Sequence, residues 1–446
     1  MIVMKFGGSS VADAACMRQV EALVRAALPE APLVVLSAMG KTTNALFDAA
    51  RTAEAGDLPA AMDRQRVLMA AHRRAAEELF AGAVPESLDR ALTEHFGELE
   101  LLLRGVALLR ELSPRSMDAI ASLGERLSTR IFAERLGGTW VDARTALRTD
   151  GTFGEAVPDS VAIRGLSARH LSPLLGPGRA VVTQGYIGAT EDGLTTTLGR
   201  GGSDYSAALF GAALGAREVQ IWTDVEGVLT CDPRIVPEAL PIPELSFAEA
   251  AELAAFGAKV LHPATIQPAV EARIPVTVRH TWKPEGRFTT ISAEVRTGRP
   301  ITALASRGPV TVLTVSSSRM LAQSGFLARL FEVFGRRGVS VDLVATAEVS
   351  VSLTVEADVP LRPLLQDLSA FATVEVNEDR AIIAAVGERL KSTPGLGGRL
   401  FSALGEINVE MISMGANEIN LSLVVRQDQA DEALRRLHRV LTGEAA

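Results

Sequence analysis

Residues 325–355 align without a gap on residues 395–425. Gly325, Arg329, Leu330, Phe331, Gly335, Val339, Glu348, Ser352, Leu353 and Val355 recur unchanged in the second copy. Ordinary residue frequencies would leave about two matches. The apolar runs Val310–Val315 and Arg380–Val386 precede the copies at the same offset. Each copy therefore reads strand, helix, strand, strand, helix, the start of a ferredoxin-like βαββαβ unit. The first continues into a strand at Ala372–Val376, whereas the second ends after the helical stretch Ala430–Leu441 and lacks its last strand. Ile301–Ser306 can supply that strand. The first unit, about 308–379, is then expected to sit inside the second, about 380–446 plus a strand from about 300–307. Asp342 in the first copy faces Ile412 in the second, and Gln323-Ser324 precedes the first copy's glycine. A carboxylate beside helix N-terminal amides suits the amine and carboxylate of an amino acid. The alternative is a surface aspartate. Sheet edges of such units also tend to pair between chains.

Ahead of the repeat, strands and helices alternate to about residue 295, which indicates an α/β domain with a largely parallel sheet. Met1–Phe6 is an apolar run carrying Lys5. Gly7-Gly8-Ser9-Ser10 and a helical pattern follow it. Strand, glycine turn and helix together present backbone N–H groups to an anion. Lys5 is either an edge-strand solubility device or a cation for a transferring phosphoryl group. Pro32–Ala38 is a second strand, and Ser37 and Thr43 after it are ligand groups or turn and cap residues. About 45–112 reads as a helical insert and Ser116–Leu136 as an amphipathic helix. In that helix Glu125 is expected either to pair with Arg130 or to lie at the surface unless it has a site role.

Thr195–Ala207, TTTLGRGGSDYSA, concentrates hydroxyls, three glycines, Arg200 and Asp204 where a loop meets an apolar helix. Arg200 can grip a carboxylate or phosphate through two parallel hydrogen bonds. Asp204 can cap the helix or orient a lysine or another cation. The loop lacks the last glycine of a dinucleotide fingerprint. Gly40-Lys41-Thr42 resembles the end of a P-loop, but Val35 stands where its first glycine belongs. A nucleotide, if bound, is held by another architecture. Val219–Asp224 is a further strand, and Lys259 near a helix end either complements the dipole or serves the site.

With 446 residues, roughly three domains are expected at about 150 each. A net charge of −8 gives a nucleic-acid partner no electrostatic support. Cys16 and Cys231 cannot make a disulfide framework. No apolar run approaches the ~20 residues of a membrane span, and a soluble cytoplasmic protein is expected.

Lys5–Ser10 (KFGGSS), Gly124-Glu125, Thr196–Asp204 (TTLGRGGSD), Trp222–Gly227 (WTDVEG), Asp232–Arg234 (DPR) and Gly257–Pro263 (GAKVLHP) together resemble the aspartokinase family across essentially the whole chain. The tail resembles that family's tandem ACT domains. Val339–Asp342 (VSVD) and Glu348–Leu353 (EVSVSL) are most similar to the monofunctional, lysine-sensitive type. The resemblance implies an amino-acid-kinase domain over 1–298 and regulatory ACT domains over 299–446. It implies ATP-dependent phosphorylation of L-aspartate to 4-phospho-L-aspartate, the first step toward lysine, threonine and methionine, with Mg²⁺ bridging the phosphates. Lys5 would stabilise phosphate charge and Asp204 would hold it. Gly7, Gly8, Ser9 and Gly202 would cradle phosphate. Arg200 would clamp the α-carboxylate of aspartate and Glu125 would face its amine, with Thr43, Tyr186 and Ser203 nearby. Thr223, Asp224, Arg234 and Lys259 would line the nucleotide site. Met320, Ser324, Gly325, Phe326, Leu327, Ser340, Val341 and Asp342 match the positions that hold lysine, with threonine, alone or with lysine, as the other effector. A homodimer through the ACT domains is implied, or a tetramer.

The chain departs from the family at Leu229, often aromatic there, and at Cys231, commonly threonine, which puts base stacking in question. Two other functions compete: a silent amino-acid-binding regulator, and a same-fold kinase for another carboxylate or carbamate. Lys5, Glu125, Arg200 and Asp204 together argue against the first, and Glu125 with Arg200 favours a zwitterionic amino acid.

Overall fold

The structure is a computed structural model that describes residues 1–257, 263–293, 295, 299–317, 320, 324–415 and 417–443. It divides into two compact units, Met1–Val228 with Leu261–Val295, and Leu229–Val260 with Arg296–Ala446.

In the first unit, seven strands lie side by side in the order Thr139–Trp140, Val181–Gln184, Pro32–Leu36, Ile2–Phe6, Val219–Thr223, Val276–His280 and Thr289–Ser292. All neighbours run parallel except the last pair. Ile2–Phe6 and Pro32–Leu36 are buried throughout. Continuous burial is what a parallel sheet covered on both faces requires, and it explains why these segments read as unbroken apolar runs. The helix Ala14–Ala26 starts at Asp13, which accepts the Cys16 N–H at 2.8 Å. Pro114–Leu136 starts at Ser113 and stops at Gly137, whose φ of 69° suits glycine.

Three helices, Thr42–Glu54, Leu58–Leu79 and Glu86–Leu109, form the insert. Leu68, Leu92, Phe96, Leu99 and Leu103 join Ile120, Leu123 and Leu127 in one core. His72 and His95 are buried in this insert, and each Nδ1–H donates to the carbonyl four residues back. Burial lowers both imidazole pKa values.

In the second unit, six strands run in the order Val344–Thr346, Ser350–Glu356, Ala303–Ser316, Thr373–Val386, Asn420–Arg426 and Met411–Met414, all antiparallel. The two central strands serve both repeats. Ala303–Arg307 pair with Val386–Ile382, and Val312–Ser316 pair with Asn377–Thr373, with register shifts between. Each repeat keeps its own core: Leu313, Leu330, Phe334, Leu353 and Leu364 in the first, and Ile383, Leu400, Leu423 and Leu434 in the second.

The segment Leu229–Val260 belongs with this unit by its contacts, where the sequence boundary at 298 assigns it to the kinase domain. The reason is local. Cys231 and Val236 pack into the second repeat's core, and Thr230 Oγ1 lies 2.9 Å from His438 Nε2. Burial pushes the Cys231 thiol up to about 11, so it behaves as a small apolar residue.

Candidate functional site

Four parallel strands end at one edge of the first sheet and deliver Gly7-Gly8-Ser9, Ser37–Gly40, Gly185-Tyr186 and Asp224 to it. Ligands of open α/β sheets bind at this carboxyl edge. Lys5 sits two residues short of it in an interior strand, which excludes the edge-strand explanation. Its Nζ lies 2.6 Å from Asp204 Oδ1, with both side chains largely buried.

Asp204 lies in the first turn of the helix Gly202–Leu214, whose cap is Gly201, so its carboxylate is committed to the lysine. Gly199 and Gly201, at φ 72° and 71°, make a left-handed turn that other residues rarely adopt. Arg200 between them is exposed, and no hydrogen bond or ion pair joins it to another described residue.

Ser37 donates a hydrogen bond to Ser203 Oγ at 2.9 Å, tying the end of the strand Pro32–Leu36 to the first turn of the helix Gly202–Leu214. Gly185 permits that approach: a Cβ there would fall 2.6 Å from the Ser203 Cβ. Tyr186 holds φ 69°, a strained value for a bulky residue, and such strain gathers at functional sites. Its N–H donates to Ser206 Oγ at 2.9 Å, and burial pushes its phenol up to about 12.

Glu125 is 3% exposed. One carboxyl oxygen accepts the Ala38 N–H at 3.2 Å, and the other has no hydrogen-bond partner among the described residues. Burial raises this carboxyl to about 8. Neither the Glu125–Arg130 pair nor the surface position is found among the described residues: five residues apart, the two side chains leave different faces of the helix, and Arg130 stacks over the Trp140 ring at 3.4 Å. Behind Glu125, Thr129 donates to its backbone carbonyl and accepts from Trp140 Nε1 and Gln184 Nε2.

Asp118 escaped the sequence reading. It is 2% exposed and accepts three hydrogen bonds, from the Gly154 N–H, the Thr197 N–H and the Thr197 hydroxyl. The available signal was its spacing: Asp118 and Glu125 are seven residues apart, on one face of a helix.

The remaining candidates are more dispersed. Ser9 is exposed and Thr43 half-buried in the first turn of its helix. Thr223 donates to Asp224 at 3.1 Å, and Asp224 is exposed. Arg234 belongs to the second unit, where it is paired with Asp232 at 3.0 Å. Lys259 lies outside the described residues, as does Gln323.

In the first repeat, Met320, Phe326 and Val341 are half-buried against its core, whereas Ser324, Gly325, Leu327 and Ser340 are exposed. Gly325, at φ 94°, opens the helix Phe326–Arg336. Asp342 is paired with Arg307 at 2.9 Å, and its second oxygen has no hydrogen-bond partner among the described residues. Burial raises this carboxyl while Arg307 opposes the rise. It is therefore not a freely solvated surface aspartate.

The sequence profile of the amino acid kinase family matches residues 1–280, and that of the ACT domain matches residues 383–441. Lysine-sensitive aspartokinase 3 of Escherichia coli strain K12 is 41% identical over 454 residues, covering 98% of each chain. The chain belongs to the aspartokinase family. Its fold class agrees: a crystal structure of E. coli aspartokinase III with lysine and aspartate matches with a TM-score of 0.81 at 40% identity, covering 99% of each chain. The same enzyme with aspartate and ADP also gives 0.81 at 40% identity, covering 99% of this chain and all of the other.

Proposed function

We propose that this protein transfers the γ-phosphoryl group of ATP to the side-chain carboxylate of L-aspartate and is inhibited through its first ACT repeat by lysine, with threonine as the alternative effector. The observation that carries the reading is the buried Lys5–Asp204 pair, with Arg200 exposed in the turn just before Asp204 and without a partner among the described residues, and Glu125 buried. The contents of the E. coli structures, lysine, aspartate and ADP, support it.

Lys5 offsets charge on the transferring group, and Asp204 fixes its ammonium in position. Gly7, Gly8, Ser9 and Gly202 offer phosphate contacts at a helix N-terminus. Arg200 grips the α-carboxylate of aspartate, with Thr43, Tyr186 and Ser203 around it. Glu125 faces the amine, and an ammonium beside it favours the ionised form that burial disfavours. The nucleophile is already a carboxylate, so no general base is needed. Thr223 and Asp224 contribute to the nucleotide side. Mg²⁺ bound with the nucleotide would supply neutralisation of developing charge on the side lined by Gly7, Gly8 and Ser9.

In the first repeat, the unpaired Asp342 oxygen suits an effector amine. A homodimer through the ACT repeats, or a tetramer, in the cytoplasm completes the proposal. No helix among the described residues is long and apolar enough to cross a membrane.

The test is an acyl-phosphate assay with hydroxylamine trapping, run with ATP, Mg²⁺ and L-aspartate, with and without millimolar lysine or threonine. Product that disappears with lysine is expected. Folded protein that makes no product from aspartate would refute the kinase assignment, and product insensitive to both amino acids would refute the effector assignment.

A further inference from the structure

The buried carboxylate of Asp118 has no place in the chemistry above, yet it accepts three hydrogen bonds. It stands in the first turns of the helix Pro114–Leu136 that also carries Glu125. One oxygen accepts the backbone N–H groups of Gly154 and Thr197, both at 2.9 Å, and the other accepts the Thr197 hydroxyl at 2.8 Å. All three partners donate to it, so the ionised carboxylate satisfies each of them, whereas an amide turns its NH2 toward the Thr197 hydroxyl, which must then accept and give up its donated bond. Hydrogen bonds to a charged acceptor are also the stronger kind.

What those bonds hold is the base of the Arg200 turn. Thr197 ends the strand Thr195–Thr197, and its carbonyl accepts the Ala156 N–H at 2.9 Å. Leu198 then donates to the Tyr186 carbonyl at 2.9 Å. Gly199 rests against the 154–155 backbone, where an added Cβ would fall 3.1 Å from Glu155 Cγ and 3.2 Å from the Gly154 carbonyl oxygen. One carboxylate therefore clamps both the strand leading into the turn and the loop beneath it. Arg200, exposed and without a described partner, has no anchor of its own.

We infer that Asp118 is a positioning residue for substrate recognition: through Thr197 and Gly154 it sets the height of the Gly199–Gly201 turn, and with it the reach of the Arg200 guanidinium toward the carboxylate of an amino-acid substrate. This rests on the role proposed for Arg200 above. A misplacement of about an ångström in a group that orients substrate is enough to cost up to about a hundredfold.

The experiment is steady-state kinetics on the full-length enzyme for wild type, Asp118→Asn, Arg200→Ala and the double variant. Thermal unfolding of each is followed in parallel. Asp118→Asn is expected to raise KM for aspartate about tenfold or more while KM for ATP stays within about twofold. In the Arg200→Ala background the same substitution is expected to add little, because two residues acting through one contact are not additive. Thr197→Val, which removes one of the three bonds, should give a smaller rise and is less prone to misfold. Asp118→Asn protein that melts earlier but keeps the wild-type KM for aspartate would reduce Asp118 to a structural role and overturn the inference. So would equal effects with and without Arg200. Wild-type enzyme inactive toward aspartate would instead sink the functional reading beneath it, which the wild-type control reveals on its own.

Discussion

The two candidate sites of this chain are built on opposite principles. In the first unit four charged groups are buried and held, while Arg200 stays exposed: Lys5 is paired with Asp204 in an interior strand, Glu125 is sealed behind Ala38, and Asp118 accepts three hydrogen bonds. In the first ACT repeat the candidate contacts are half-buried or exposed, and one acid, Asp342, shares Arg307 with Glu356. The second repeat repeats the scaffold and leaves out the charge, placing Ile412 at the matching position, 46% exposed. A fixed, desolvated charge acts strongly and needs little reorganisation, which suits transition-state stabilisation. A partly solvated acid with a spare oxygen can take up and release a ligand. On one scaffold, then, the first repeat carries an acid paired with Arg307 where the second carries an exposed isoleucine.

That contrast can be broken most sharply at Lys5. Lys5→Ala should lower kcat/KM by about three orders of magnitude, roughly 4 kcal/mol, measured by acyl-phosphate formation. A loss below about tenfold would show that the pair is only structural. Asp204→Asn, which keeps the size and removes the charge, should cost about a hundredfold, because the lysine survives but loses its fixed position.

The next effect belongs to the ACT repeats. Asp342→Ala should weaken lysine inhibition by about ten- to a hundredfold, as loss of a charge-assisted bond would. Ile412→Ala should leave the inhibition constant within about twofold, the range of a surface change. Equal effects at both positions would mean that the two repeats are not chemically distinct.

The smallest effect is on stability. Burial lifts Glu125 from an ordinary value near 4.5 to about 8 in the folded chain. A raised pKa of this kind favours the fold most below pH 4.5, and that contribution is lost as pH rises through about 8. Glu125→Gln has no such dependence, so its melting temperature relative to wild type should climb between pH 5 and pH 8 and then level off. A difference that is flat with pH would show that Glu125 is ionised in the folded protein.

Much of this was legible along the chain. The repeat announced the tandem units, because two copies of one pattern must bury the same faces. Unbroken apolar runs announced the parallel strands. The glycines pointed to a tight turn, and Gly199 and Gly201 do take the left-handed values it needs. The sequence left Asp204 open between cap and lysine partner, left Glu125 open between site and surface, and passed over Asp118. Each of those depends on contacts between residues far apart in the chain: 199 positions separate Lys5 from Asp204, 87 separate Ala38 from Glu125, and 79 separate Asp118 from Thr197.

The order of residues thus determined the elements, the repeat and the kinds of side chain available, since periodicity and turn chemistry act over a few residues. Only the tertiary structure decided which acid is buried beside which donor, and that the segment after Val228 packs with the ACT repeats. Burial and charge pairing are properties of space, and the chain enters that space only when its distant parts have met.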